Sequence, residues 1–299
     1  MAFGNRLINA GGGGAFADGQ VIAVNTSSGE FRSTDFGATF TQVNSLNLSN
    51  ISIGLGSQYS VCKNNISTDF GATYTSLSSG TNWTKISGDG STIYAYNTFA
   101  SRVRRADSFS TNFGDIIYRS PYYQSWGADA LHISYNGGDV WWAGDPGWIQ
   151  FGANFSAPLD IKQVGREALY VSDDKTKYIS TYSSSVFYST NNYSTSTQIH
   201  SNLYGYKAAD YSGDGTVLYL GSAGTGSNRY FGKLLIPSGT FSIIEVAVNA
   251  FSIIKTNTTG QHVVYADGSN LRVSNDYGVT FTTKSFPSTI QGADVLRVQ

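Results

Sequence analysis

The sequence predicts an all-β protein made of repeated units, and two observations support that prediction. One eight-residue string occurs three times with Ser, Asp, Gly, Thr and an aromatic residue at fixed offsets. It reads S-T-D-F-G-A-T-F at 33–40, S-T-D-F-G-A-T-Y at 67–74 and S-N-D-Y-G-V-T-F at 274–281. The 34 Gly and 20 Tyr residues suit short strands joined by tight turns. A repeat that recurs from one end of the chain to the other leaves no spare segment for a second domain.

The repeated string itself predicts a turn, because Ser and Asp side chains hydrogen-bond nearby backbone groups and Gly tolerates a positive φ. The pattern S-x-D-x-G-x-T-aromatic resembles the Asp-box, or BNR repeat, of sialidases, sortilin-type receptors and non-enzymatic β-propellers. The resemblance implies a β-propeller in which each box joins the third and fourth strands of a blade, away from the central channel. The residues assigned to these structural boxes are Ser33, Asp35, Gly37, Thr39, Phe40, Ser67, Asp69, Gly71, Thr73, Tyr74, Ser274, Asp276, Gly278, Thr280 and Phe281.

The first four units follow one order of strand, hairpin, strand, box and strand. Their predicted strands are 21–24, 30–32 and 39–43; 50–53 and 59–62; 83–86 and 93–96; and 131–134 and 139–142. The third unit has a decayed box at 110–114, in which Asn replaces Asp. The fourth is the most divergent: its box region is placed at 148–155, and alternatively 134–138 is itself a displaced box.

The last three units repeat the same order. Their predicted strands are 168–171, 178–182 and 185–188; 207–211, 217–220 and 229–235; and 251–254, 262–265 and 271–273. The fifth unit has a decayed box at 189–193 with Thr197 beyond it, and the sixth has none. Boxes starting at residues 33, 67, 110, 150, 189, 231 and 274, two of them placed by spacing alone, recur at the spacing of propeller blades. The count predicts seven blades, with six or eight as the alternatives.

One strand at the C-terminal end is left over, at 293–298, while the first unit lacks an innermost strand. We therefore predict that 293–298 complete blade one and close the ring, which removes an exposed sheet edge. Residues 1–19, which include the glycine run 11–14, are predicted to be an N-terminal segment, and 20–299 a single propeller domain.

Composition excludes several classes of function. Charged residues make up 13% and the formal net charge is -1, which argues against nucleic-acid binding. No apolar run approaches the roughly 20 residues of a membrane span, and the opening residues contain no secretory signal. The single Cys62 is predicted to be buried, and three isolated His residues predict neither a metal site nor a cofactor. Calcium in a loop such as 172–174 is left open.

Enzymatic activity is not predicted. The resemblance to sialidases would require three clustered arginines, whereas Arg102, Arg104 and Arg105 share one strand and alternate between its faces. A glycosidase needs only two carboxylates. Most of the candidates lie in turn sequences, where an Asp usually closes the turn. These candidates are Asp129, Asp139, Asp145, Asp173, Asp174, Asp210 and Asp214.

Aromatic residues are concentrated between Tyr118 and Phe155. Exposed aromatic faces bind sugar rings and anchor protein interfaces, although Trp142 and its alternating neighbours equally suit the space between blades. Trp126 and Trp148, flanked by Gly and Pro in predicted loops, are the preferred surface candidates. The residues assigned to carbohydrate or partner binding are Tyr122, Tyr123, Trp126, Trp141 and Trp148.

The sequence favours a non-enzymatic docking or structural propeller on an exterior surface. Its opening, M-A-F-G-N-R-L-I-N-A-G-G-G-G, is similar to the starts of virion and tail proteins of tailed phages. That resemblance implies a virion or tail component whose partners are other virion or surface proteins and whose ligand is a host receptor or glycan. The alternative is a glycoside hydrolase or lectin that uses the central channel.

Overall fold

The computed structural model describes residues 16–54, 57–77, 83–97, 102–107, 131–144, 147–152, 158–162, 168–182, 184–201, 206–222, 230–246 and 253–299. All regular secondary structure in these ranges is β-strand, as the sequence predicts. Within the same ranges no helix is long and apolar enough to cross a membrane.

The strands are short, with two to six residues each. In chain order they are β1 (Ile22–Thr26), β2 (Gly29–Ser33), β3 (Thr41–Asn44), β4 (Ser52–Gly54), β5 (Tyr59–Cys62), β6 (Asn65–Ser67), β7 (Thr75–Ser76), β8 (Trp83–Ile86), β9 (Thr92–Asn97), β10 (Arg102–Asp107), β11 (Leu131–Ile133), β12 (Asp139–Gly144), β13 (Gly147–Gly152), β14 (Pro158–Lys162), β15 (Ala168–Val171), β16 (Tyr178–Tyr182), β17 (Ser185–Ser189), β18 (Thr197–His200), β19 (Tyr206–Tyr211), β20 (Val217–Ser222), β21 (Tyr230–Leu235), β22 (Phe241–Val246), β23 (Ile253–Thr256), β24 (Val263–Asp267), β25 (Asn270–Ser274), β26 (Thr282–Ser285) and β27 (Ile290–Val295).

The described strands form seven antiparallel sheets, which we number in chain order. Sheet 1 has the order β27-β1-β2-β3, and sheet 2 has β4-β5-β6-β7. Sheet 3 is described as three strands, β8-β9-β10, and sheets 4 to 7 each add the next four strands in sequence. A chain that builds one sheet before starting the next makes mostly local contacts, as repeat architectures do.

Sheet 1 is the exception, because it combines strands from both ends of the described chain. β27 pairs with β1, from Ile22 opposite Val295 to Thr26 opposite Ile290. The sequence places this strand at 293–298, three residues too late at each end. The strand ends at Val295. The next amide, of Leu296, still donates a hydrogen bond to the Val21 carbonyl, and the chain then leaves the sheet.

Buried apolar clusters lie between consecutive sheets. Examples are Tyr170 of sheet 5 with Leu218 of sheet 6, and Ile22 of sheet 1 with Val264 of sheet 7. Similar clusters join sheets 1 and 2, 2 and 3, 4 and 5, and 6 and 7. Sheets 1, 2, 5, 6 and 7 therefore bury both faces against their neighbours, which accommodates the alternation of side chains along each strand.

The outer edges of the sheets share an irregularity. In sheets 1, 4, 5 and 6 the pairing between the third and fourth strands shifts by one residue, which is a β-bulge. A bulge twists the outermost strand away from a flat, pairable edge.

The two box placements made from spacing are wrong, and so is the alternative box at 134–138. Residue 231 lies inside β21 and residue 150 lies inside β13, so neither starts a turn. Residues 134–138 form the turn between the first two strands of sheet 4, not a displaced box between its third and fourth. Spacing failed because strand length varies between units and no box letters mark these positions. The decayed box at 110–114 lies outside the described residues.

Candidate functional site

The three intact boxes are identical turns between the third and fourth strands of their sheets. In the first, Ser33 Oγ donates to Asp35 Oδ1 (2.7 Å), and the Gly37 amide donates to Ser33 Oγ (2.8 Å). Thr39 donates its amide (2.9 Å) and its hydroxyl (2.6 Å) to the Asp35 carboxylate. Burial opposes ionisation of Asp35, but these hydrogen bonds outweigh it and lower the pKa of Asp35 to about 2. The box carboxylate is fully used in closing its own turn.

The decayed box at Ser189 keeps this turn with Asn191 in place of Asp. Ser189 Oγ donates to Asn191 Oδ1 (2.9 Å), and the Tyr193 amide donates to Ser189 Oγ (3.0 Å). The Thr position is filled by Thr195, whose amide bonds Asn191 Oδ1 (3.0 Å), and not by Thr197 as the sequence suggested. An amide oxygen therefore replaces the carboxylate without loss of the fold.

A second turn family joins the first and second strands of sheets 3 to 7. In sheet 6 the Val217 amide donates to Ser212 Oγ (3.0 Å), and Ser212 Oγ donates to Asp214 Oδ1 (2.7 Å). The fourth residue, Gly215, has φ 69°, a left-handed conformation that favours glycine. Equivalent turns start at Ser87, Ser134, Ser172 and Asn257. Asp174 and Asp214 are therefore turn residues, and hydrogen bonding lowers the pKa of Asp174 against the effect of burial.

The first strands of all seven sheets line one central cavity of about 330 Å³. In sheets 3 to 7 the residue two positions before the turn lines this cavity. Asp294, two positions before Leu296, takes the same place in sheet 1, and Ser52 takes it in sheet 2. We call these residues the channel ring: Ser52, Lys85, His132, Tyr170, Asp210, Lys255 and Asp294.

Three members of the channel ring bind the next sheet. Asp294 Oδ2 accepts from the Ile53 amide (2.9 Å), and Asp210 Oδ2 accepts from the Thr256 amide (2.8 Å). Ser52 Oγ accepts from the Ile86 amide at 3.5 Å. In each case a side chain caps an N–H on the inner edge of the neighbouring first strand, which satisfies a backbone donor that no strand pairs. Asp210, a glycosidase candidate from the sequence, is thereby committed to structure.

Residues 296–299, which we call the C-terminal latch, cross the cavity at the end where the turns lie. The Arg297 guanidinium donates to the Thr256 carbonyl (3.0 Å), the Tyr211 carbonyl (2.6 Å) and Asp210 Oδ2 (3.0 Å). Its Nη1 lies 3.8 Å from Asp173 Oδ1. Burial opposes the charge of Arg297, but the surrounding carboxylates outweigh it and raise its pKa further. Arg297 thus ties sheet 1 to sheets 5, 6 and 7.

Asp18 holds the latch from the other side. Its Oδ1 accepts from the Val298 and Thr258 amides, both at 3.1 Å, and its Oδ2 accepts from Asn257 Nδ2 at 2.7 Å. The Gly19 amide also bonds the Leu296 carbonyl (2.9 Å). The sequence assigns Asp18 and Gly19 to the N-terminal segment, yet both are bonded into the fold.

Two buried polar atoms on the cavity wall have no hydrogen-bond partner among the described residues. These are Nε2 of His132 and Oδ2 of Asp173, whose side chain is 8% exposed. Burial, reinforced by the cations Lys85, Arg297 and Lys255, holds the pKa of His132 well below its usual value. Burial raises the pKa of Asp173, although the Arg297 cation and a hydrogen bond between Gln299 and the Asp173 side chain act against that shift. Both residues line the cavity, but the two unpartnered atoms themselves are closed to solvent.

The aromatic candidates do not gather into a described surface. Trp141 is 1% exposed and packs against Val171, Tyr178 and Tyr193 of sheet 5, so its predicted binding role is wrong and it belongs to the core between sheets. Trp148 is the second residue of β13, not part of a loop. Tyr122, Tyr123 and Trp126 lie outside the described residues.

The remaining candidates from the sequence behave as follows. Asp139 forms an ion pair with Lys175. Cys62 is fully buried, as predicted, and burial raises its pKa to about 12. In the ranges that the structure describes, no cluster of His, Cys, Asp and Glu could hold a metal ion. Asp129 and Asp145 lie outside those ranges.

Sequence reasoning missed the channel ring and the latch. The signal that could have found the ring is the second turn family, S-x-[DN]-G, which recurs at residues 87, 134 and 212 with variants at 172 and 257. Counting back two residues from each turn gives the ring position. Nothing in the local sequence around Arg297 indicates the two carboxylates and two carbonyls that surround it.

The chain is similar to several solved structures, one of which is a β-propeller domain by its printed name. A protein from Bacteroides fragilis assigned as a 6-phosphogluconolactonase is 12% identical, with a TM-score of 0.65, over 91% of this chain and 96% of that one. The Cps50 (Swd1) β-propeller domain of Myceliophteria thermophila is 11% identical, with a TM-score of 0.62, over 83% and 89%. A nidogen/laminin complex chain is 9% identical, with a TM-score of 0.57, over 92% and 97%.

The chain therefore has an all-β fold of the β-propeller class. Identities this low establish the fold alone. No protein-family model matches the sequence, and no curated protein matches it either.

Proposed function

We propose that this chain is a non-enzymatic docking propeller on an exterior surface, a virion or tail component of a phage. In this proposal the seven sheets are seven blades, the boxes are Asp-box turns, and β27 closes the ring within blade one. The partners are other virion or surface proteins, with a host receptor or glycan as the exterior ligand.

The observation that carries the non-enzymatic part is that many of the described carboxylates bond within the fold. Asp35 and Asp214 close turns, and Asp210 and Asp294 cap the neighbouring sheet. Glu30 is fully buried against Arg32. Acid–base catalysis requires a carboxylate within reach of a substrate proton, and these groups already accept hydrogen bonds from the protein.

The docking part rests on exposed apolar side chains of sheets 6 and 7. Ile243 on β22 is 58% exposed, and Tyr277 and Val279 in the box turn of sheet 7 are 42% and 74% exposed, whereas β3, β7, β18 and β26 expose mainly Thr, Ser and Gln. Aromatic and aliphatic side chains are the usual anchors of protein interfaces. The nidogen/laminin structure supports the proposal only as an example of a similar chain found in a protein complex.

The second candidate is a lectin or glycoside hydrolase that uses the central channel, favoured by the central cavity of about 330 Å³. One experiment separates the two. The purified chain is screened against a panel of glycosides for hydrolysis, and an antibody to it is used to label intact particles released by the source organism.

The docking proposal expects surface labelling of particles and no turnover of any glycoside. Turnover that survives repurification would refute the non-enzymatic proposal. A chain found only inside cells would refute the exterior location. The glycoside screen would still test the non-enzymatic part of the proposal independently.

A further inference from the structure

One member of the second turn family carries Asn at the position where three others carry Asp. In the turn that starts at Ser134 this residue is Asn136, which is exposed and is followed by Gly137. The sequence contains no other Asn-Gly pair. An Asn side chain before glycine is open to attack by the next backbone nitrogen, because glycine has no Cβ to obstruct the approach. The turn therefore holds the pair of residues most prone to spontaneous deamidation.

The reaction needs only water as a co-reactant. The Gly137 nitrogen bonds to Asn136 Cγ, the Cγ–Nδ2 bond breaks, and the Gly137 amide proton leaves with Nδ2 as ammonia. Water then opens the cyclic imide. Cleavage between nitrogen and Cγ gives aspartate, whereas cleavage between nitrogen and the main-chain carbonyl carbon gives isoaspartate. In both cases the nitrogen regains a proton and the new carboxyl group ionises, so either product adds one negative charge.

The hydrogen bonds of this turn are those that an aspartate would make. Asn136 Oδ1 accepts from Ser134 Oγ (3.0 Å) and from the Gly138 amide (3.1 Å). In sheet 6, Asp214 Oδ1 accepts from the equivalent hydroxyl (2.7 Å) and the equivalent amide (3.0 Å). Within the part of the chain that the structure describes, Asn136 Nδ2 has no hydrogen-bond partner. Replacing that nitrogen with oxygen therefore breaks no hydrogen bond.

An isoaspartate does not fit the same turn, because it adds one carbon atom to the main chain before Gly137. The Gly137 amide donates to the Ser134 carbonyl (2.9 Å), and its carbonyl accepts from Tyr94 Oη of sheet 3 (2.6 Å). Gly137 also lies so close to sheet 3 that an added Cβ would be 2.6 Å from Thr92 Cβ. Displacing Gly137 would break these contacts, so the turn accommodates aspartate and not isoaspartate.

These contacts also restrain the reaction in the folded chain. The Gly137 nitrogen must leave the Ser134 carbonyl before it can lose its proton and reach Cγ, and the hydrogen bond from Tyr94 opposes that movement. Deamidation therefore requires local opening of the junction between sheets 3 and 4, and its rate follows the population of the opened form.

We propose that Asn136 is a site of spontaneous deamidation whose rate is set by opening of the junction between sheets 3 and 4, and that the aspartate product keeps the native turn. The inference is independent of the docking role. It assigns the turn as a place where the finished protein gains charge with age.

The first test is incubation of the full chain at pH 8, with and without urea, followed by peptide mapping with mass spectrometry. Asn191 is the matched control, because its Oδ1 also accepts from a Ser hydroxyl (2.9 Å) and an amide (3.0 Å). The residue after it is Asn192, which has a side chain. Asn136 should react faster than Asn191 in both conditions, and faster in urea than in the folded chain. Equal rates at the two Asn residues would overturn the assignment of the site.

Tyr94→Phe tests the control of the rate. Losing the hydrogen bond to the Gly137 carbonyl should speed deamidation of the folded chain about fivefold to tenfold. An unchanged rate would overturn the control by opening. If the variant does not fold, the wild-type comparison decides, because equal rates with and without urea would overturn the same claim.

Urea unfolding tests the product. Asn136→Asp should unfold at the wild-type urea midpoint, and a lower midpoint would overturn the claim that aspartate keeps the turn. In the aged wild-type chain, a brief protease pulse near the midpoint should remove isoaspartate-containing chains first. An unchanged ratio of aspartate to isoaspartate at position 136 after the pulse would contradict the misfit of isoaspartate.

Discussion

Replacing Arg297 with Ala should destabilise the fold by about 3 kcal/mol. The guanidinium makes three hydrogen bonds, to Asp210 and to the Thr256 and Tyr211 carbonyls, and it lies near Asp173. Removing it leaves two carboxylates facing each other across the end of the cavity with no cation between them. Their side chains are 13% and 8% exposed, so water restores only part of the lost stabilisation.

The magnitude follows from that burial. Breaking a buried, hydrogen-bonded ion pair by removing one partner costs about 3 to 5 kcal/mol. The Arg297 side chain is 20% exposed, and we therefore take the lower end of that range. Arg272→Ala is the matched control: its guanidinium lies 3.9 Å from Glu245 Oε1, and both side chains are about one third exposed. An exposed pair of this kind contributes about 0 to 1 kcal/mol.

Urea unfolding of both variants, followed by tryptophan fluorescence, measures the two differences in free energy of unfolding. Equal losses for Arg297→Ala and Arg272→Ala would refute the argument that the latch is a buried electrostatic tie. A change in the urea slope would indicate that the latch had detached in the native state.

The same variant has a predicted pH dependence. Burial raises the pKa of Asp173 in the folded protein above its unfolded value, so ionisation of Asp173 opposes folding. Its contribution to stability is therefore fully present below the unfolded pKa and lost as pH rises through the folded one. Arg297 limits that shift, and its removal enlarges it. The cost of Arg297→Ala should consequently be smaller near pH 4 than at pH 7, and a constant cost would contradict this account.

Three further predictions concern the boxes and the core. Hydrogen bonds from Thr280 and Ser274 lower the pKa of the Asp276 carboxyl to about 2. The contribution of Asp276 to stability should therefore be present above its usual pKa of 3.8 and lost as pH falls toward 2. Carboxyl NMR titration of the native chain checks this, and an ordinary pKa for Asp276 would contradict it. Gly71→Ala should lower the free energy of unfolding in urea by about 3 kcal/mol, because the new Cβ would lie 2.4 Å from a Glu30 carboxylate oxygen and the residue has φ +82°. Gly268→Ala, with φ +64° and open space around it, should lower it by about 1 kcal/mol. Equal losses for the two variants would contradict the steric explanation. Burial raises the pKa of Cys62 to about 12, so a thiol reagent at pH 8 should modify it only after urea unfolding, and rapid labelling of the native chain would contradict its burial.

Local chemistry made the boxes and most strands predictable from the sequence. In a box the Ser, Asp, Gly and Thr letters are themselves the hydrogen-bonding groups and the left-handed residue of the turn, so pattern and geometry coincide. The strand from Val217 follows from a β-prone run after a Gly-Asp-Gly turn for the same reason. Where the letters decay, as near residues 150 and 231, spacing alone placed turns inside strands.

The residues that line the cavity could not be predicted, because the lining depends on the register between sheets that are distant in sequence. His132 lies in the ordinary strand sequence L-H-I-S, and only the alignment of seven first strands places it on the cavity wall. Trp141 shows the same limit. Adjacent strand residues point to opposite faces, and the sequence does not indicate which of two consecutive tryptophans faces the neighbouring sheet. The structure places Trp141 there.

The pairing of β27 with β1 also sets an order in time. At about 5 to 20 residues per second, synthesis delivers β27 roughly 15 to 50 s after β1. Throughout that interval β1 presents an open edge, and a β27 from a second chain fits it as well as its own does. Concentrated refolding should therefore yield chains that exchange their last strand, while dilution should favour monomers. The expression host and the protein concentration thus influence the assembly state of this chain, although β27 covers the edge of β1 in the finished fold.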